Sequence, residues 1–263
     1  MTNQEFLISK IESFNAIFME YLNKLDCMDT QYRQAIVSSV FGKGGEGFHR
    51  GFYTPNLSES IMVSNAYCGK LLKRITSKTK PSTQYGYDKD GRLILVERFE
   101  YPQGVQIVTD TELLIYQDDT ILSIGFRWDE NLQQNTILYI SESIYCENRL
   151  AFYTYGTYGT RDPLCWILKH QRNTYEGNRL IASNLQELSY NPLEASVLSC
   201  IGGDAVFSYQ DSTLVHYEYT ESGILKASPP FVKSDQLLKR TFKGPVSAKK
   251  TPPYIKKPVR PFK

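Results

Sequence analysis

The chain has 263 residues, of which 41% are hydrophobic and 22% charged, with a formal net charge of +2. That size and balance fit one large or two small folded domains and exclude a low-complexity chain. No stretch approaches the roughly 18 apolar residues of a membrane span, and MTNQEFLISKIESF carries Glu5 and Glu12 rather than a basic-then-apolar leader, so a cytoplasmic protein is expected.

The first expected element is a helix over 4–25, where Leu7, Ile11, Phe14, Phe18, Tyr21 and Leu25 recur in steps of three and four as one apolar stripe. A second helix is predicted from about Thr30 to Phe41, with Tyr32, Ile36, Val37 and Val40 on one face. The glycine-rich GKGGEG at 42–47 breaks it. A backbone nest for an anion could form there, but the P-loop pattern is absent, and a connector is the simpler reading. A third helix is predicted from Leu57 to Ile75, with Asn56 and Glu59 spaced as a capping box and Lys70, Lys73 and Arg74 near its end. Residues 1–76 thus read as a helical unit, and 77–83 as a linker.

From 84 to 225 the period changes to two, through runs such as RLILVERFEY, ILSIGFRW and TILYISES. Within this span one phrase returns five times: YDKDGRL at Tyr87, YQDDTIL at Tyr116, YCENRL at Tyr145, YEGNRL at Tyr175 and YQDSTL at Tyr209. Each has an aromatic, a few turn formers and an aliphatic. Spacings of 29 to 34 residues between the tyrosines indicate a repeated supersecondary unit, here a β-hairpin. The expected fold class is α+β: an N-terminal helical unit, a large antiparallel β-meander of hairpin repeats, and a disordered basic tail over 243–263.

The net charge conceals segregation. Residues 1–84 hold 10 Lys/Arg and 7 Asp/Glu; 85–225 hold 9 and 20; 226–263 hold 11 and 1. An acidic middle followed by a basic, proline-rich end points to charged partners.

YGYDKDGRL at 85–93 resembles the YD repeat of the RHS family, whose core reads roughly YxYDxxGRL; the later copies keep the aromatic, the turn and the aliphatic, and Arg149-Leu150 and Arg179-Leu180 echo its end. In that family such repeats build curling β-sheets. The resemblance implies a short intracellular relative in that style, of the kind found beside polymorphic toxins as immunity proteins.

Few residues suggest chemistry. The histidines His49, His170 and His216 stand at no metal-ligand spacing and beside no nucleophile motif, and the five cysteines form no CxxC pair. No catalytic residue, metal or cofactor is assigned. The expected partner-binding residues are the turn acids Asp88, Asp90, Asp118, Asp119, Glu147 and Asp211, with Tyr153, Tyr155 and Tyr158 as aromatic anchors. Their expected partner is a basic protein, a candidate toxin domain. Two other readings stand beside this one. The first is a carbohydrate hydrolase using two of these acids; the second is a nucleic-acid or surface adaptor acting through the basic tail.

Overall fold

The computed structural model describes residues 2–43, 70–76, 78–147, 149–159, 165–177, 179–210, 213–221 and 224–227. Helix α1 (Asn3–Tyr21) opens with a capping box: the Thr2 hydroxyl accepts from the Glu5 N–H, and the Glu5 carboxylate accepts from the Thr2 N–H, which satisfies two otherwise orphaned donors. Its stripe is the expected one as far as Tyr21; Leu25, expected on the same helix, opens the next one. Leu7, Ile11 and Phe14 are buried, and Phe18 and Tyr21 pack beside them.

Helix α2 (Leu25–Ala35) is shifted from the expected 30–41. Ile36 caps it in an extended conformation, and Ser38–Lys43 form strand β1. Val40 and Phe41, expected on a helix face, are strand residues. β1 pairs antiparallel with β3 (Thr83–Tyr87), and Gly86 leaves the space into which Ile36 packs; a Cβ there would lie 2.6 Å from Ile36 Cδ1. The predicted third helix falls mostly outside the described residues. Its end does not: Lys70–Leu71 form β2, a short strand paired with Lys43 and Gly42 of β1. Of the expected linker, Thr83 already belongs to β3 and the Ser82 N–H donates to the Gly42 carbonyl. The segment 243–263 lies outside the described residues.

The sheet continues through β4 (Leu93–Glu100), β5 (Ile107–Gln117), β6 (Thr120–Asp129), β7 (Gln134–Cys146), β8 (Arg149–Gly159), β9 (Cys165–Glu176), β10 (Arg179–Asn191), β11 (Ser196–Gln210), β12 (Thr213–Glu221) and β13 (Ile224–Ala227). From β3 onward every strand pairs antiparallel with its sequence neighbour, a single meander with β1 and β2 added beyond β3. The fold is α+β, two N-terminal helices followed by a long antiparallel sheet. Both helices lie on one sheet face, where Leu95, Leu113, Ile124, Ile140, Trp166, Leu168 and Leu188 meet α1 and α2 in one core.

The recurring tyrosines stand at the ends of β3, β5, β7, β9 and β11, all at one end of the sheet. The turns after them need a left-handed backbone, supplied at Gly91, Asp118, Glu147 and Gly177, which explains the Asp, Glu and Gly of the phrase. Each reach-back is specific. Tyr116 Oη donates to the Leu93 carbonyl at 2.8 Å, Tyr175 Oη to Leu150 at 2.9 Å and Tyr209 Oη to Leu180 at 2.8 Å. In each case the acceptor is the aliphatic of the preceding phrase. The arginine before it covers the same ring: Arg92 lies over Tyr116 and Arg179 over Tyr209. Tyr87, first in the series, has no earlier phrase to bond, and its buried hydroxyl has no partner among the described residues. Burial pushes the phenols of Tyr87, Tyr116, Tyr175 and Tyr209 up, keeping them donors. Tyr175→Phe is therefore expected to cost about 1 kcal/mol in urea unfolding. A loss below about 0.3 kcal/mol would show that the bond contributes nothing beyond the ring.

Candidate protein-binding surface

A meander places its alternate turns at opposite ends of the sheet. The tyrosine end carries the turns β3–β4, β5–β6, β7–β8 and β9–β10, and with them the acids expected to bind a partner. Asp88 is buried: one oxygen accepts the N–H groups of Asp90 and Arg92, and the other accepts from the Arg92 guanidinium. Its role is to fold the turn. Asp90 is exposed and pairs with the same arginine at 3.4 Å, and Glu147 pairs with Arg149 at 3.8 Å. Asp118 and Asp119 are exposed at the tip of their turn. Asp211 lies outside the described residues.

The three anchors separate onto two faces. Tyr158 packs against Phe18 of α1 and Trp166, on the helix-covered face. Tyr153 and Tyr155 alternate with it and share the other face, where Tyr155 lies 5.2 Å from the Tyr139 ring. Tyr153 is buried and Tyr155 half-buried.

The opposite end of the sheet was not singled out by the sequence, and its character is different. Its turns β4–β5, β6–β7 and β10–β11 expose Val105, Ile107, Trp128, Leu132 and Leu193. Among them stand the exposed acids Glu100, Glu130 and Glu194 and the half-buried Asp129, whose carboxylate caps its turn by accepting from Asn131 and Leu132. The available signal was large apolar residues inside turn-forming stretches, WDENLQQN and YNPLEAS.

Two inner polar clusters complete the electrostatics. On the face away from the helices Arg98 pairs with Asp110 and with Glu112, and reaches the Tyr139 hydroxyl at 3.4 Å; Glu112 also accepts from Ser123. Burial alone would push the Arg98 guanidinium down, but Tyr139, Glu112 and Asp110 outweigh it and hold its pKa well above the usual value.

On the helix face Glu142, Thr154 and His170 stand side by side on β7, β8 and β9. Lys10 of α1 pairs with Glu142 at 2.5 Å, Thr154 Oγ1 is 2.9 Å from His170 Nδ1, and Phe6 of α1 meets the imidazole edge-on at 5.0 Å. Burial, and then Lys10, push His170 down from 6.5 to about 4. Its neutral form is the folded form, so this stabilisation is complete above pH 6.5 and is lost as pH falls toward about 4. The loss is on the order of 3 kcal/mol. Unfolding followed from neutral pH downward should show a shallower acid limb in His170→Gln; equal slopes in the two proteins would refute the assignment.

Among the described residues no group of three or more His, Cys, Asp or Glu side chains could hold a metal ion, and no helix is long and apolar enough to cross a membrane. No protein-family model and no curated protein matches the chain. A solved structure of a protein of unknown function from Bacteroides fragilis NCTC 9343 is similar over 42% of this chain and 81% of its own, at 13% identity and a TM-score of 0.32. A likeness of that size carries no argument.

Proposed function

We propose that the chain is a non-enzymatic, cytoplasmic protein-binding module built of hairpin repeats, acting as an immunity protein that neutralises a basic toxin domain, with a nuclease the best fit. The observation that carries this reading is the placement of the acids. Asp90, Asp118, Asp119 and Glu147 stand on successive turns along one open rim, a layout suited to an extended partner rather than to two carboxylates flanking one bond. A nuclease surface is basic because it holds phosphate, so an acidic rim competes for the same groups and speeds encounter. The resemblance of 85–93 to the YD repeat supports the toxin-linked setting.

The test is retention on the immobilised chain from lysate of its source. A basic protein should be held at low salt and released, with affinity falling about tenfold or more, as salt rises through a few tenths molar. Asp118→Asn with Asp119→Asn should weaken that retention. Binding indifferent to salt, or an acidic partner, would refute the reading.

A further inference from the structure

We propose that the end of the sheet opposite the tyrosines is a docking surface for this chain's own basic C-terminal segment, residues 228–263. The proposal rests on the capture reading above in one respect, that the acid-bearing turns attract basic chain.

The surface is built as a binding patch. Trp128 is 52% exposed, Leu132 59% and Val105 65%, each on a turn or a strand end. Exposed aromatic and aliphatic side chains among acids give an anchor and a register that charge alone does not. Among the described residues Lys43, Lys70 and Lys80 stand on the β1–β4 side of this end, Lys80 lying over the Tyr101 ring, and Arg127 precedes Trp128 on β6. At the tyrosine end, by contrast, Arg92 and Arg149 already pair with Asp88, Asp90 and Glu147, and Arg179 lies over Tyr209. Among the described residues Val37, whose N–H donates to the Tyr87 carbonyl, and Val206 are the large exposed apolar side chains nearer that end. An incoming basic chain therefore finds exposed acids at both ends of the sheet, and more large exposed apolar side chains among the described residues at the end opposite the tyrosines.

The occupant matches in charge and in pattern. Residues 228–263 hold ten Lys/Arg against Asp235, and place Tyr254, Ile255, Val259 and Phe262 between lysines and prolines. Proline-rich chain is extended before it binds, which lowers the entropy lost on docking. Reach is ample. β13 ends at Ala227 on the sheet edge, and Trp128 lies on β6, seven strands away. At about 4.8 Å per strand that is roughly 34 Å. About a dozen extended residues span it at roughly 3.3 Å each, and 36 follow Ala227.

The test uses the full chain at low micromolar concentration with a zero-length carbodiimide, which joins lysine to a carboxylate only in direct contact. Links within one molecule are expected from Lys249, Lys250, Lys256 or Lys257 to Glu100, Asp129, Glu130 or Glu194. Their yield should fall about fivefold or more at roughly 0.5 M salt. It should also fall in Trp128→Ala with Leu132→Ala, and Glu130→Gln with Glu194→Gln repeats the test without touching packing. Asp118→Asn with Asp119→Asn should leave the yield unchanged. Links only between two molecules, links mainly to Asp118 or Asp119, or no salt-sensitive links would each overturn the proposal. The capture reading fails separately: a basic partner retained without tail links removes this inference alone, and tail links without a retained partner remove the other.

Discussion

Arg98→Met is expected to destabilise the protein by about 3–5 kcal/mol, measured by urea unfolding at neutral pH. Arg98 is the cation that answers both Asp110 and Glu112, and the Glu112 side chain is only 4% exposed. Removing the guanidinium leaves two carboxylates on one face with little water to solvate them, and a deserted buried charge costs more than the pair contributed. The Ser123 hydroxyl still donates to Glu112, so the damage falls mainly on the charge balance. Adding Asp110→Asn and Glu112→Gln to the variant should therefore recover much of the loss. A single variant that loses less than about 1 kcal/mol would mean that water already compensates these acids.

The second large effect is expected at the seam between α1 and the sheet. Phe14 is fully buried, and Phe14→Ala should cost about 3–5 kcal/mol through lost burial and the cavity left behind. The seam is tight on both sides. A Cβ on Gly156 of β8 would sit 2.7 Å from Phe14 Cδ2 and 3.2 Å from Trp166 Cζ3. Gly156→Ala should cost about 1–3 kcal/mol by overpacking. In the Phe14→Ala background the same change should cost far less, since its methyl enters space the ring vacated. Strict additivity of the two in a double-mutant cycle would show that the contact does not couple them.

The seam also shows how much was legible beforehand. Leu7, Ile11, Phe14, Phe18 and Tyr21 repeat at helical spacing, and a long amphipathic stripe has no other stable use. The strands from 84 onward were legible from alternation, and the turns at Asp118 and Glu147 from residues that tolerate a left-handed backbone. Val40 and Phe41 were not. A short apolar run suits helix and strand equally, and pairing with Tyr85 and Gln84 decides for strand.

The binding residues were legible by type and not by setting. Asp88 and Asp90 belong to one phrase, yet one is buried in its turn and the other is exposed. Tyr153, Tyr155 and Tyr158 sit within six residues, yet the first two and the third face opposite ways.

From the sequence alone come the first helix, the strands from 84 onward, the period of the tyrosine phrase and the segregation of charge, because all of these depend on residues near one another in the chain. The tertiary structure alone decides that Arg98 meets Asp110 and Glu112, that His170 lies beneath Lys10 and Phe6, and that Trp128 and Leu132 share an exposed rim with Glu130. Those outcomes depend on strand register and on where the helices lie across the sheet. A register slip of one residue would turn each of these side chains to the other face, and local propensity carries no information about it.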